Sequence, residues 1–477
     1  MSETKAELLH DLFSRWSGEK AIAINKLPAS GSSREYYRIT GEKAVVIGAI
    51  NQDREENEAF IEFSRHFRSK GLAVPEIYLV DLDRHAYLQE DLGDLALFDH
   101  MLKVRNNGSF TPELISTYKK VLTELQKFQI LGAEGLNYSL CYPRSSFDRQ
   151  SMQWDLSYFK YYFLKLASIP FNEQHLEDDY NTLIEFLLEQ DTSYFLYRDF
   201  QSRNILLKNG QPCFIDYQGG RRGALQYDVA SLLYDSKADI PPLVREELLE
   251  HYIEGLSDYP GVNPGAFRDS FYAYVLIRIM QAMGAYGFRG FYEKKTHFLQ
   301  SIPYALNDLR WILENVTFSI KIPTLLGVIQ KLLVAPRLKR FQDKGGRKST
   351  LTVSINSFSY KHGMPKDPSG NGGGYVFDCR VITNPGKQDK FKKLTGRDPE
   401  VASFLDQQGD VHEFLSSAFW LVDMSVDKYE DRNFTRLMVG FGCTGGQHRS
   451  VYCAEKLAAH LRESQSVRVT LWHRELD

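Results

Sequence analysis

Tyr197-Arg198-Asp199-Phe200-Gln201-Ser202-Arg203-Asn204-Ile205-Leu206, followed by Phe214-Ile215-Asp216-Tyr217-Gln218, decides the reading of this chain. The stretch sets an aspartate, an asparagine five residues later and a second aspartate twelve residues after that. Phosphoryl transfer from ATP needs such a set. One carboxylate orients the accepting hydroxyl and takes its proton, while an amide and a second carboxylate hold Mg²⁺ against the triphosphate. In chain order, Asp199 fits the base, and Asn204 and Asp216 fit the metal ligands. Asn204 precedes the apolar pair Ile205-Leu206, and Asp216 ends Cys213-Phe214-Ile215, so strand, turn and strand would return both ligands to one ion. A third acid, Asp228, lies in Gln226-Tyr227-Asp228-Val229-Ala230 and is expected to cap a helix start and brace the catalytic loop.

Composition bounds the rest. At 477 residues the chain is long enough for two or three domains. Its hydrophobic fraction of 43% and charged fraction of 25% are those of a globular protein. A net charge of −3 gives no global field toward nucleic acid or an anionic membrane. The five cysteines, at 141, 213, 379, 443 and 453, form no CxxC pair, which argues against a disulfide framework or zinc site. The polar start and the interrupted apolar stretch Val316–Val334 leave neither a signal peptide nor a membrane span, and the expected location is cytoplasmic.

Residues 1–92 order themselves as opening helix, hairpin, helix and strand: Leu8, Leu9, Leu12, Phe13 and Trp16 at helical spacing, strands at 36–40 and 44–47, a helix over Glu55–Lys70 closed by Gly71, and a strand at 87–91. Residues 93–330 read as mainly helical. Residues 331–348 carry seven positive side chains against Asp343 and read as a basic linker, either a solvated tether or a contact for an acidic partner. From 349 to 477, strands near 351–355, 375–381, 437–441 and 467–472 alternate with helices, the pattern of a small α/β domain with a largely parallel sheet.

The Arg-Asp-Phe-Gln-Ser-Arg-Asn loop, Ile-Asp-Tyr-Gln at 215–218, Tyr-Asp-Val-Ala-Ser-Leu-Leu at 227–233 and Glu90-Asp91-Leu92-Gly93 resemble the aminoglycoside-phosphotransferase and protein-kinase superfamily. They are most similar to its N-acetylmuramate/N-acetylglucosamine anomeric kinases. The resemblance covers about residues 1–325 and implies an α+β bilobal protein-kinase-like fold, with a small β-rich N-lobe and a helical C-lobe, followed by the small α/β domain. It implies ATP and Mg²⁺ as cofactors, an amino sugar as acceptor, and nucleotide contacts from Ser32, Ser33, Arg34, Arg38, Glu58 and the hinge residue Glu90. Two departures stand out. Tyr197 replaces the usual loop histidine, and strand 44–49 has no lysine to clamp ATP, so that Lys43, Arg34 or Arg38 would have to supply the charge and Glu58 the paired acid. For the acceptor, Asp148, Trp154 and Asp155 are candidates because sugars are held by an aromatic face and polar groups. Arg221 and Arg222 are candidates for an anionic substituent.

In the last domain, Gly442-Cys443-Thr444-Gly445-Gly446-Gln447-His448-Arg449-Ser450 joins a strand to a helix start and reads as an anion cradle. The Cys443-x5-Arg449-Ser450 spacing also fits a cysteine-phosphatase loop, for which Asp410 or Asp423 would have to act as the acid. With Ser-Phe-Ser-Tyr-Lys at 357–361, Phe-Asp-Cys-Arg at 377–380 and Leu-Thr-Gly-Arg-Asp-Pro-Glu-Val at 394–401, the loop resembles the C-terminal domain of the RNase adapter RapZ. That resemblance implies an amino-sugar phosphate held by Cys443, Thr444, Gly445, Gly446, His448 and Arg449, with Lys361 and Arg380 nearby. RNA contact, also implied, is opposed by sixteen Lys and Arg against sixteen Asp and Glu over 349–477. An adapter that senses a metabolite, with a weak kinase half, is the alternative reading.

Overall fold

The computed structural model describes residues 4–476 apart from 29–33, 106–108, 336–337, 339–349, 368–369, 371–372 and 465–466. Two compact units share the chain. The first takes residues 1–284 and 304–333, the second 285–303 and 334–477. Residues 93–330 are therefore not one continuous lobe, because 285–303 groups with the C-terminal body.

The first unit opens with α1 (Lys5–Ser17), started by a Thr4/Glu7 capping box and stopped by Gly18 at φ 75°. Its face of Leu8, Leu9, Leu12 and Phe13 packs with Ile39, Val46 and Leu88 of a five-stranded antiparallel sheet. The sheet order is β1-β2-β3-β5-β4, formed by β1 (Ala23–Lys26), β2 (Glu35–Thr40), β3 (Val45–Ile50), β4 (Ile77–Asp81) and β5 (Ala86–Glu90). The two edge strands, β1 and β4, have no alternating apolar pattern, and sequence periodicity does not show them. Between β3 and β4 runs α2 (Arg54–Ser69), capped by Asp53.

The helical part holds α3 (Leu97–Val104), α4 (Pro112–Ile130), α5 (Arg149–Tyr158), α6 (Glu173–Leu188), α7 (Gln226–Leu233), α8 (Pro242–Gly255), α9 (Pro264–Tyr286), α10 (Ile302–Asn315) and α11 (Pro323–Val334). Between α6 and α7 lie four short strands: β6 (Tyr194–Leu196), β7 (Ile205–Lys208), β8 (Gln211–Phe214) and β9 (Arg221–Gly223). Buried tyrosines fill this core, and two of them place their hydroxyls on partners, Tyr252 on Gln129 Oε1 at 2.5 Å and Tyr274 on the Leu187 carbonyl at 2.8 Å. The basic stretch does not begin as a linker: Lys331 lies within α11 and donates to the Pro170 carbonyl at 2.9 Å. Positions 336–337 and 339–348 of that stretch, and Ser32 and Ser33, lie outside the described residues.

In the second unit β10 (Thr352–Ser359), β11 (Gly374–Asp378), β12 (Arg436–Cys443) and β13 (Arg468–His473) form an all-parallel sheet in the order β11-β12-β10-β13. Val353, Ile355, Leu437, Val439 and Phe441 point to one face, where α12 (Pro399–Asp406), α13 (Gly409–Asp431) and α14 (Arg449–Ser464) supply the other half of the core. The 285–303 segment packs here too. Phe291 meets Trp420 edge-on at 6.3 Å, and Lys294 donates to Ser417 at 2.7 Å. Among the described residues no helix is long and apolar enough to cross a membrane.

Candidate active site

The hairpin β7–β8 turns on Asn209-Gly210, both at positive φ (52° and 75°), the conformation a tight two-residue hairpin turn demands. Its register pairs Ile205 with Phe214, so the residues just outside, Asn204 and Ile215, meet through the Ile215 N–H to Asn204 carbonyl bond at 3.1 Å. That is how twelve residues of separation become contact. Asn204 Nδ2 donates to Asp216 Oδ2 at 3.0 Å and to the backbone carbonyl of Asp199 at 2.9 Å. All three positions thus converge at one end of the hairpin.

Two of the residues that shape this end hold backbone conformations costing about 1–3 kcal/mol each: Arg198 at φ 79° and Asp216 at φ 71°. The surroundings compensate. Asp228, fully buried, accepts the N–H of Tyr197 at 2.8 Å, that of Arg198 at 3.0 Å and the Gln129 amide at 3.1 Å. Asp228 therefore braces the loop, but it sits inside α7 and makes no side-chain cap. The Arg198 guanidinium pairs with both oxygens of Asp155 at 2.7 and 2.9 Å and donates to Tyr227 Oη at 2.7 Å. Tyr197, in place of histidine, is fully buried and its hydroxyl donates to the Ile215 carbonyl at 2.6 Å, tying its own loop to the segment after β8 that carries Asp216.

Burial lifts the Asp228 carboxyl to about 7, against the pull of its three N–H donors. The folded value lies above the unfolded one of about 3.9, so the unfolded chain ionises first as pH rises. Its contribution to stability is full below about 4, falls as pH rises toward 7 and is flat above that. Thermal unfolding of Asp228→Asn followed across that window is expected to lose this limb of the pH profile.

The Asp216 carboxyl opens on the cleft yet is pushed up, first by the protein packed around it and then by the charge of Asp199. A carboxylate beside an amide, within reach of a second carboxylate's charge, suits a divalent cation, which would relieve that repulsion. Among the described residues no group of three or more His, Cys, Asp and Glu could hold a metal, and the groups brought together here are one carboxylate, Asp216, and one side-chain amide, Asn204.

From Asp216 a chain of contacts leads into the sheet lobe. Gln218 Nε2 donates to Asp216 Oδ1 at 2.8 Å and to Glu56 Oε1 at 3.2 Å. Glu56, on α2, pairs with the buried Arg34 at 3.2 Å. Arg34 also donates to Tyr36 Oη at 3.2 Å and lies 5.4 Å above the Phe60 ring. The acid of α2 that faces the cleft is thus Glu56, which sequence reading missed. Glu58 points outward and pairs with Arg54 at 2.8 Å on the surface, because two positions along a helix turn a side chain to the far side. Lys43 is exposed. Arg38 is held by Asp91 at 2.6 Å and Asp94 at 2.7 Å beside the hinge, and Glu90 accepts Lys208 at 2.7 Å.

The acceptor candidates divide. Asp148 caps α5 through Ser151 N–H and pairs with Arg144, and Asp155 holds Arg198, so both do positioning work. Trp154 is half exposed, with the Arg144 guanidinium 5.5 Å above its ring. Arg221 is buried, donates to the Gly219 carbonyl and feels the charge of Asp199, while Arg222 lies 4.1 Å above the Tyr138 ring.

In the second unit the glycine-rich loop closes on itself. Cys443 Sγ accepts the Gly446 N–H at 3.2 Å and sits 3.2 Å from Ser450 Oγ, with Gly446 at φ 71°. Arg449 is buried and its Nη1 donates to the carbonyls of Arg380 and Ile382, both at 3.1 Å. His448 Nε2 lies 2.8 Å from the Phe391 carbonyl. Thr444, Gly445 and Gln447 are the exposed members of the loop. Arg380 pairs with Asp378 and covers the Tyr360 ring at 4.2 Å. Both acids proposed for a phosphatase step are engaged elsewhere: Asp410 accepts the Thr383 N–H and hydroxyl, and Asp423 pairs with His460 at 2.9 Å.

Known proteins match the two units separately. The family model for the phosphotransferase enzyme family matches residues 24–264, and that for the RapZ C-terminal domain matches 351–477. A nucleotide-binding protein of Thioalkalivibrio sulfidiphilus is 39% identical over 137 residues, 29% of this chain and 46% of that protein. The RNase adapter protein RapZ of Pectobacterium carotovorum is 41% identical over 133 residues, 28% of this chain and 45% of that one. The chain thus spans about half the length of the curated relatives it matches. Among solved structures, choline kinase from Cryptosporidium parvum aligns at 12% identity with a TM-score of 0.46, over 68% of this chain and all of that one. Plasmodium vivax ethanolamine kinase aligns at 14% with a TM-score of 0.43, over 60% and 82%.

Proposed function

Because the chain belongs to the phosphotransferase enzyme family, we propose that it transfers the γ-phosphoryl group of ATP to a hydroxyl of an amino sugar such as N-acetylmuramate or N-acetylglucosamine, and that its C-terminal domain binds an amino-sugar phosphate. The observation that carries the first part is the Asn204 amide lying 3.0 Å from the Asp216 carboxylate and 2.9 Å from the Asp199 backbone. Asp199 accepts the proton of the sugar hydroxyl as it attacks. Asn204 and Asp216 would hold Mg²⁺, which supplies charge to offset that building on the phosphates. Arg198 and Asp228 keep the loop in its strained form so that Asp199 is placed before substrate arrives. Arg221, beside Asp199, is the group for an acidic substituent of the sugar.

Exposed Thr444 and Gly445, with His448 behind them, are the groups through which the C-terminal loop would meet a sugar phosphate. A cytoplasmic location fits both substrates. The missing strand lysine would favour the metabolite-sensing adapter, but the Arg34–Glu56 pair supplies a buried cation joined through Gln218 to Asp216.

A coupled assay with N-acetylmuramate and N-acetylglucosamine tests the reading. ATP turnover on neither, with turnover on another alcohol, removes the sugar. Glu56→Gln is expected to raise KM for ATP and lower kcat, together about a hundredfold in kcat/KM, because it frees Arg34 and slackens Gln218. Glu58→Gln is expected to change neither, and equal effects of the two variants would show that the contact chain does not matter.

A further inference from the structure

An all-parallel sheet normally has both faces covered, since helical crossovers pack on each side. The sheet of the second unit has its described helices packed into one core on one face. The other face is polar and half exposed. The register places its side chains in rows: Arg436, Thr352 and Arg468; then Met438, Ser354 and Thr470; then Gly440, Asn356 and Trp472. Over it passes the strap Met364-Pro365-Lys366-Asp367, which comes close at Gly440, where an added Cβ would meet the Pro365 ring at 3.7 Å. Strap and strands enclose a cavity of about 410 Å³.

Its lining has a definite chemistry. Trp472, 47% exposed, presents an indole ring that nothing in the core requires at that position. Ser354, Asn356 and Thr470 form a hydroxyl and amide floor, with Thr470 Oγ1 donating to Ser354 at 3.1 Å. Arg436 and Lys366 stand at the rim, and neither has an ion-pair or hydrogen-bond partner for its charged group among the described residues. Arg474 also lines the cavity, with its guanidinium paired to Glu475 at 3.1 Å, so the rim cations Arg436 and Lys366 face the single lining acid Asp367. From Arg436 to the row of Trp472 is four residues along the register, about 13 Å, a span that a long arginine side chain and one ring-sized ligand bridge. The volume falls in the range of small-molecule sites, about 300–1,000 Å³.

We propose that this cavity binds a phosphorylated ring compound of about mononucleotide size, its ring on the Trp472 indole, its hydroxyls on Ser354, Asn356 and Thr470, and its phosphate on Arg436 and Lys366. The ring supplies the stacking partner, and the phosphate neutralises a rim whose cations outnumber its acids. This site lies on the sheet face opposite α14, does not use the glycine-rich loop and is independent of the kinase reading.

The test uses the full chain labelled with 5-fluorotryptophan, the Trp472 resonance being identified by its loss in Trp472→Phe. Three probes are titrated: AMP, glucose 6-phosphate and inorganic phosphate. A saturable shift of that resonance with AMP or with glucose 6-phosphate, weakened about tenfold in Arg436→Ala, is expected. Which of the two shifts it tells whether the ring is a nucleobase or a sugar, and the loss of affinity in Arg436→Ala separates binding here from binding in the kinase cleft. The proposal is overturned if neither moves it at concentrations up to ~10 mM. It is equally overturned if inorganic phosphate alone reproduces the shift, or if the midpoint is unchanged in both Arg436→Ala and Lys366→Ala.

Discussion

Asp199→Asn is expected to lower kcat by about 10²–10⁴-fold, the contribution of a positioned general base, with little change in KM for ATP. The fold has no reason to suffer. Asp199 is exposed at the cleft, and the contact Asn204 makes with it runs to the backbone carbonyl, which the variant keeps. The charge of Asp199 also pushes up the Asp216 carboxyl, so its removal relieves a like-charge pair. At neutral pH the metal-free variant is therefore expected to melt no lower than the parent. A steady-state assay and a thermal melt on the same preparation check both halves. A loss of less than tenfold, or a lower melting temperature, would refute the assignment.

Asp216→Asn is expected to abolish turnover to a similar degree for a different reason, and the signature is loss of a metal response. Mg²⁺ with a non-hydrolysable ATP analogue at a hundred times its dissociation constant stabilises a folded protein by about 2.7 kcal/mol. The parent is expected to show that shift, and the variant only the smaller shift of nucleotide alone. Asparagine is the proper replacement because it tolerates the left-handed backbone at φ 71°, where alanine would add strain. The variant does change the bonding, since Asn204 and Gln218 both donate to this side chain. An undiminished Mg²⁺-dependent shift in Asp216→Asn would remove this residue from the metal site.

The residues of the cleft differ in how far sequence alone reveals them, and the difference is one of range. Asp199, Asn204 and Asp216 are legible because a single hairpin, turning on Asn209-Gly210, brings them together. Glu56 is not. Glu56 and Glu58 both lie on α2, and which faces the cleft depends on Gln218, 162 residues away. Asp155 is in the same position: its partner Arg198 lies 43 residues on, and nothing local separates it from half-exposed Trp154 beside it. Arg449, at a helix start after a glycine turn, reads as an anion donor, yet buried guanidinium groups take the nearest carbonyls, here those of residues 380 and 382. The four strands of the C-terminal sheet stand out by apolar content and spacing, whereas β1 is short and half polar and β4 is an apolar run without alternation.

The polypeptide visits its two bodies alternately, entering the second at residue 285, leaving it at 303 and returning at 334. On the ribosome, Phe291 and Lys294 emerge more than a hundred residues before the Trp420 and Ser417 they meet. They must wait, while residues 304–333 complete the first body, until the α13 residues they meet have been made. A stop codon after residue 333 would strand them for good, so no single scission yields two complete halves. Such a remnant would keep all of the first body and carry 285–303 without the surface that covers it.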